Sequence, residues 1–423
     1  MSVRSARSRW VRFGVIFFVC LVAGIPAYRA WKNSEAEKLL ANGRQYLRER
    51  RSELAEQSLA SYLKYQPDDH QAVIQWAEAV IDGKSRKPAD AARLACEALA
   101  GIPDASPFAA EARMREARLT LFVLLQPEKA ESLLQKSRTL DPAPMDVHFL
   151  LWKVFDLTER FQFAEPHFWA TYERSPEEIK TNRLAEWYLS QFSTNSANAS
   201  LDRLLGFIAA DQTTSEQVVV ARLDSFVEHE PESTLNLTAK AAFLLHLRER
   251  EAAGKLLDQA DLRADSRTNE FFLATRISYL LDLGRLKEAD SLFEQWNAAK
   301  DGYPYFKTLA RIQQLVRRDD KGAVENFEKA IQLWPGPVDW SNLHFMAQSM
   351  ARLGDRTGAE QTRAKAKEVE LLMEMDVHRT LRAALNTLNS PESLQQFEDF
   401  YSKIGRETEA NAWRSRREAL KNR

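Results

Sequence analysis

An all-α chain of stacked helical pairs is the fold this sequence predicts, and three observations carry the prediction. The first is a recurring spacing: a small residue, an apolar one four positions on, another three on, then proline five beyond. It reads Ala91, Ala95, Ala98, Pro103; Ala130, Leu134, Ser137, Pro142; Ala164, Phe168, Thr171, Pro176; and Ala323, Phe327, Ala330, Pro335. The second is a repeat period of about 34 to 39 residues, the length of a helical pair that buries its apolar face against its neighbours. The third is punctuation, since 14 Gly and 15 Pro in 423 residues are too few for the tight turns of an all-β chain.

The elements follow in order. Residues 1–12 carry Arg4, Arg7, Arg9 and Arg12 and no acid, and the run from Phe13 to Tyr28 has no charge. Trp10 and Trp31 flank this run about 31 Å apart on a helix, close to the hydrocarbon thickness of a bilayer. A transmembrane signal anchor over 13–31 is therefore expected, single-pass in a bacterial inner membrane, with the N-terminus cytoplasmic and the repeats periplasmic. A cleaved signal peptide is the alternative, with a poor small-x-small site around Ile25, Pro26 and Ala27.

Repeat units are expected to start near residues 36, 72, 111, 145, 200, 234, 270, 304, 340 and 391. A first sub-array spans 34–192, a polar joint 193–199, and a second sub-array 200–385, closed by one long helix from Ala359 to about Leu385. A capping pair follows over 391–423, with Leu394, Phe397 and Tyr401, the turn Gly405-Arg406, then Ala410. Small residues such as Ala91, Ala164, Ala289 and Ala323 let paired helices approach, while Phe168, Phe293 and Phe327 fill the gap to the next unit. Where the spacing ends in proline, that residue stops the second helix of the pair.

These units resemble the tetratricopeptide repeat (TPR) family. The residues that carry the likeness are Leu39, Gly43, Tyr46 with Ala55, Leu59, Tyr62, Pro67; Leu237, Ala241, Leu244 with Ala253, Leu257, Ala260; and the stretch LGRLKEADSLFEQW from Leu283. The resemblance implies a solenoid of about ten units that binds a protein or peptide in a groove walled by the first helix of each pair. Projected onto this sequence, that wall holds Arg44, Arg48, Trp76, Arg115, Phe122, Phe149 and Lys153, then Phe271, Tyr305, Thr308, Ile312 and His344. Arginine and aromatic groups of this kind are enriched at interface hot spots and suit an acidic peptide. The Lys-Asn pairing by which some family members clamp a partner's C-terminal carboxylate is absent, its places holding Leu40, Arg44 and Trp76.

Little else points to chemistry. The net charge is −1, from 59 basic and 60 acidic residues, so no phosphate-neutralising excess exists and nucleic acid is not an expected partner. Two cysteines, Cys20 and Cys96, make no disulfide framework. Asp82-Gly83-Lys84-Ser85 has the end of a phosphate loop, but Glu78 stands where its first glycine belongs. The seven histidines form no HExxH, and no GxSxG elbow occurs. No cofactor, metal or catalytic residue is expected. The functional expectation is a membrane-tethered scaffold that binds partner proteins in the cell envelope, during assembly, secretion or surface-polymer export. Self-association is the first alternative, and an enzyme with a site in the irregular 177–233 stretch is the second.

Overall fold

Alanines at helical spacing allow close packing of neighbouring helices, and the observed helices use them in that way. The computed structural model describes residues 32–140, 145–192, 215–333 and 340–422; among them the regular structure is entirely helical. Two compact units divide the chain: Met1–Leu124 with Leu133–Pro142, and Leu125–Ser132 with Ala143–Arg423. In the first unit lie α1 (32–48), α2 (Ser52–Leu63), α3 (His70–Asp82), α4 (Pro88–Ala100) and α5 (Ala109–Phe122). Helix α6 (Pro127–Leu140) starts in the second unit and ends in the first.

The second unit continues with α7 (Met145–Leu157), α8 (Phe161–Arg174), α9 (Glu177–Phe192), α10 (Ser215–His229), α11 (Thr234–His246) and α12 (Arg250–Asp261). Then come α13 (Glu270–Asp282), α14 (Leu286–Glu294), α15 (Tyr303–Ile312) and α16 (Asp320–Leu333). Helices α17 (Trp340–Arg352), α18 (Arg356–Leu372), α19 (Met375–Ala384), α20 (Pro391–Lys403) and α21 (Glu407–Lys421) complete it.

First helices begin at His70, Ala109, Met145, Thr234, Glu270, Tyr303, Trp340 and Pro391, each within two residues of its expected start; α1 begins four residues ahead of the start expected near 36, and the start near 200 lies outside the described residues. Asp69, Ser233, Asn269, Asp355 and Ser390 cap helix N-termini with their side chains, as short polar residues do. The repeat residues form the core: Ala55, Leu59, Ala253, Leu257, Ala260, Ala323, Phe327 and Ala330 are all 0 % exposed.

Between the helices of a pair, one residue turns left-handed. Arg50, Glu159, Arg248, Gly284, Arg318, Gly354 and Gly405 all have φ between 56° and 88°. In most of these turns the following N–H reaches back five residues, as in Arg51 to Tyr46 O (2.9 Å), Glu249 to Leu244 O (2.8 Å), Arg285 to Leu280 O (2.9 Å) and Arg406 to Tyr401 O (2.8 Å). That bond satisfies a carbonyl the helix end would otherwise leave open.

Within the second unit, the start of α6 and α7–α9 meet two distant parts of the chain. From α10, Arg222 donates to Leu157 O (3.1 Å) and Glu159 (2.6 Å), and Glu230 accepts the backbone N–H groups of Glu128 and Lys129 (3.0 Å each). From the C-terminal helices, Arg406 donates to Glu165 (2.6 Å) and Glu409 (2.9 Å), and Glu409 also accepts from Trp187 Nε1 (3.1 Å). Tyr401 donates to Gln191 (2.8 Å), and Tyr188 meets His378 Nδ1 (2.9 Å). Burial, helped by the Arg382 charge, pushes His378 down to about 4 and keeps that ring neutral.

Three expectations are corrected or fall outside. The anchor over 13–31 lies outside the described residues. Among those described, no helix is long and apolar enough to cross a membrane; the longest, 32–48 and Arg356–Leu372, have 17 residues each and are rich in charge. The expected single-pass inner-membrane placement, with a periplasmic array, is therefore not supported: the described residues contain no span. The joint at 193–199 also lies outside the described residues, and 145–192 and 215–422 fall in one unit. The long closing helix is in fact two: α18 stops at Leu372, and α19 restarts at Met375 after Glu374 turns extended (φ −66°, ψ 148°).

Candidate functional site

In the first unit, α1, α3 and α5 present a polar row. Arg44 donates to Gln75 (3.1 Å) and Gln71 (3.3 Å), and Arg115 pairs with Glu78 (3.2 Å) and Glu111 (2.9 Å). Arg48 is exposed and Phe122 half-buried. Trp76 turns away from the row and lines a cleft of about 430 Å³ with Leu63, Pro67, His70, Ala98 and Ile102. The structure thus joins Arg44 and Arg115 to one polar face and separates Trp76 from it.

In the second unit, Phe149 and Lys153 are covered. The Lys153 ammonium sits 3.9 Å from the Trp152 ring centre and 3.7 Å from Glu186, and the Arg183 guanidinium lies 4.8 Å from the Phe149 ring. Glu186 and Arg183 belong to α9, which folds over this side of α7. Further along, Tyr305 packs against Phe293 (5.7 Å) and Trp296 (5.4 Å), while Thr308 (6 %) and Ile312 (0 %) are buried. His344 approaches Glu370 at 3.9 Å, and Phe271 is half-buried.

Lys307 and Arg311 take the place on α15 that the sequence assigned to its neighbours. Seven residues ahead of the left-handed turn residue, the other pairs bury Ala241, Ile277 and Ala347, each 0 % exposed. Counting seven back from Arg318 reaches Arg311. The five-residue π-turn Gln313–Arg317 absorbs one extra residue, so Ala310 (0 % exposed) fills the core position instead. Arg311 then faces the neighbouring first helices, α13 and α17.

The geometry around Arg311 is specific. Its guanidinium lies 4.0 Å from the Phe345 ring centre, and Nη2 is 3.5 Å from Asp282, itself 50 % exposed. The side chain is only 15 % exposed, and Nε is buried without a hydrogen-bond partner. Burial holds Arg311 below its usual range. Burial, reinforced by the Arg311 charge and opposed by Asp282, pushes Lys307 down to about 8. Two cations one helical turn apart, partly desolvated and flanked by Tyr303 and Phe345, form an anion-receptive face. Among the described residues, no group of three or more His, Cys, Asp or Glu is placed to hold a metal.

At the start of α13, Glu270 Oε1 is buried without a partner, and burial plus the nearby Asp301 charge pushes its carboxyl up to about 7. The folded chain keeps a proton that the unfolded chain, at 4.5, gives up, so this group makes stability fall as pH rises from about 4.5 to 7. Glu270→Gln is expected to flatten that part of the profile and to stabilise the protein above pH 7. Urea unfolding of both proteins from pH 4 to 8 measures it; parallel profiles would refute the assignment.

No family model and no curated protein matches the chain. Among solved structures, the APC/C hetero-tetramer Cut9–Hcn1 is similar over 91 % of this chain and 73 % of that one, at 12 % identity and TM-score 0.35. PilF from Pseudomonas aeruginosa is similar over 57 % of this chain and 97 % of that one (14 % identity, TM-score 0.28). A tetratricopeptide repeat protein from Parabacteroides merdae is similar over 75 % and 99 % respectively (10 % identity, TM-score 0.29). The helices of this chain are TPR-like pairs on their own geometry, with shared starts, shared core positions and a shared turn.

Proposed function

We propose that this chain is a non-enzymatic scaffold that holds partner proteins, and that the row α13, α15, α17 grips an acidic segment of a partner. Arrays of TPR-like pairs present extended concave surfaces to protein and peptide partners. The observation that carries the finer reading is Arg311: a guanidinium 15 % exposed, with an unpartnered buried Nε and Asp282 at 3.5 Å as its one acid among the described residues. A buried cation with spare donors gains most from a carboxylate brought in by a ligand, because the cost of removing it from water has already been met in the fold. In the first unit, Arg44 and Arg115 already have partners, so that row is a weaker place for an acidic ligand.

The test uses a fluorescein-labelled hexaglutamate peptide, with hexalysine as control. Arg311→Gln is expected to weaken hexaglutamate binding roughly thirtyfold or more while helix content stays unchanged. Equal binding by the variant would move the site elsewhere, and no binding by either protein would reject the acidic-segment reading.

A further inference from the structure

The row that carries Arg311 is fastened at both ends to the block α7–α9. At its near end, Arg222 ties α10 to the end of α7, and Glu230, just past α10, holds the start of α6 beside it. At its far end, Lys365 on α18 donates to Lys403 O at the end of α20 (2.8 Å). Helices α20 and α21 then close onto α8 and α9 through Arg406–Glu165, Glu409–Trp187, Tyr401–Gln191 and Arg416–Glu177. The partners in this contact stand about two hundred positions apart in sequence; Arg406 and Glu165 are separated by 241. An ordinary stack has two ends that touch nothing else in the chain, which lets its groove widen or twist. This one does not.

The closing contact is polar at its centre and aromatic around it. Arg406 (2 %) and Glu409 (1 %) are buried, and Tyr188, Phe192, Phe397 and Phe400 pack edge to face at 5.0 to 6.1 Å. An apolar contact of this size would close without charges. A buried ion cluster fixes one register instead, because any displaced arrangement leaves a carboxylate without its cation.

Resting on the reading of α13–α17 as the partner site, we propose that the C-terminal helices are a clasp that sets the geometry of that groove from a distance. Closure keeps α13, α15 and α17 in the arrangement that brings Asp282, Arg311 and Phe345 together, so a partner meets a preformed surface. Opening the clasp loosens the row and weakens binding, although no residue of the clasp touches the ligand.

The experiment cuts the full-length protein after folding, at a protease recognition sequence inserted after Asn389. In the otherwise unchanged chain, the fragment beginning at Ser390 is expected to stay bound through gel filtration, with hexaglutamate affinity retained. Adding Arg406→Met is expected to release it and to weaken hexaglutamate binding about tenfold. Loss of the fragment from the unchanged cut chain would overturn the clasp. Release with unaltered affinity would overturn the coupling. If intact protein binds no hexaglutamate, the acidic-segment reading alone fails, and amide exchange in α15 and α17 decides the coupling: faster exchange on release supports it, equal exchange refutes it.

Discussion

Replacing Arg406 by Met is expected to destabilise the second unit by about 3–5 kcal/mol, read as a lower guanidinium midpoint at constant m. The arginine is 2 % exposed and answers two carboxylates, Glu165 at 2.6 Å and Glu409 at 2.9 Å. Methionine restores most of the volume but none of the charge, so Glu409, at 1 % exposure, is left ionised in the interior or must take up a proton. The same volume argument predicts the opposite for a triple change. Glu165→Gln with Arg406→Met and Glu409→Gln removes these three charges at once and is expected to lie within about 1–2 kcal/mol of the parent. If the triple falls as far as the single variant, packing rather than uncompensated charge explains Arg406.

Phe168→Ala is expected to cost a similar amount, about 3–5 kcal/mol, by a different route. Phe168 is 0 % exposed, lies flat against Trp187 at 4.7 Å and 8°, and meets Trp152 and Trp169 edge-on at 5.2 and 4.9 Å. Indole rings held by their own neighbours cannot collapse into the space of a lost phenyl, so a cavity stays. Leu262, 84 % exposed, is the control: Leu262→Ala is expected to change stability by less than about 0.5 kcal/mol. Thermal or denaturant unfolding of the two variants distinguishes burial from residue type. Equal effects would mean that the aromatic stack is not close-packed in solution.

Much of the fold could be read from the residues because small and large apolar positions recur at fixed intervals. Ala253, Leu257 and Ala260 mark a second helix without any further information, and the start at Thr234 follows from the period. Turns were less visible. Gly284, Gly354 and Gly405 announce a left-handed residue, but Arg50, Glu159, Arg248 and Arg318 adopt the same conformation with no such signal. The groove wall differs for a related reason. Tyr305, Thr308 and Ile312 project to the wall when the first helix is read as regular, and the π-turn Gln313–Arg317 shifts its register by one. Nothing local marks a π-turn, whose extra residue shows only when seven positions are counted back from Arg318. The clasp was invisible for a third reason, since Gly405-Arg406 reads as an ordinary turn until Glu165 is placed beside it.

The left-handed residues have a consequence for how the chain can be tuned. Arg50 and Arg248 are exposed, sit in different units, and occupy a conformation that glycine adopts without steric cost. Each is thus an adjustment point worth about 1 kcal/mol on exchange for glycine. Exchanging either for glycine is expected to raise the melting temperature of the chain without altering a single buried residue.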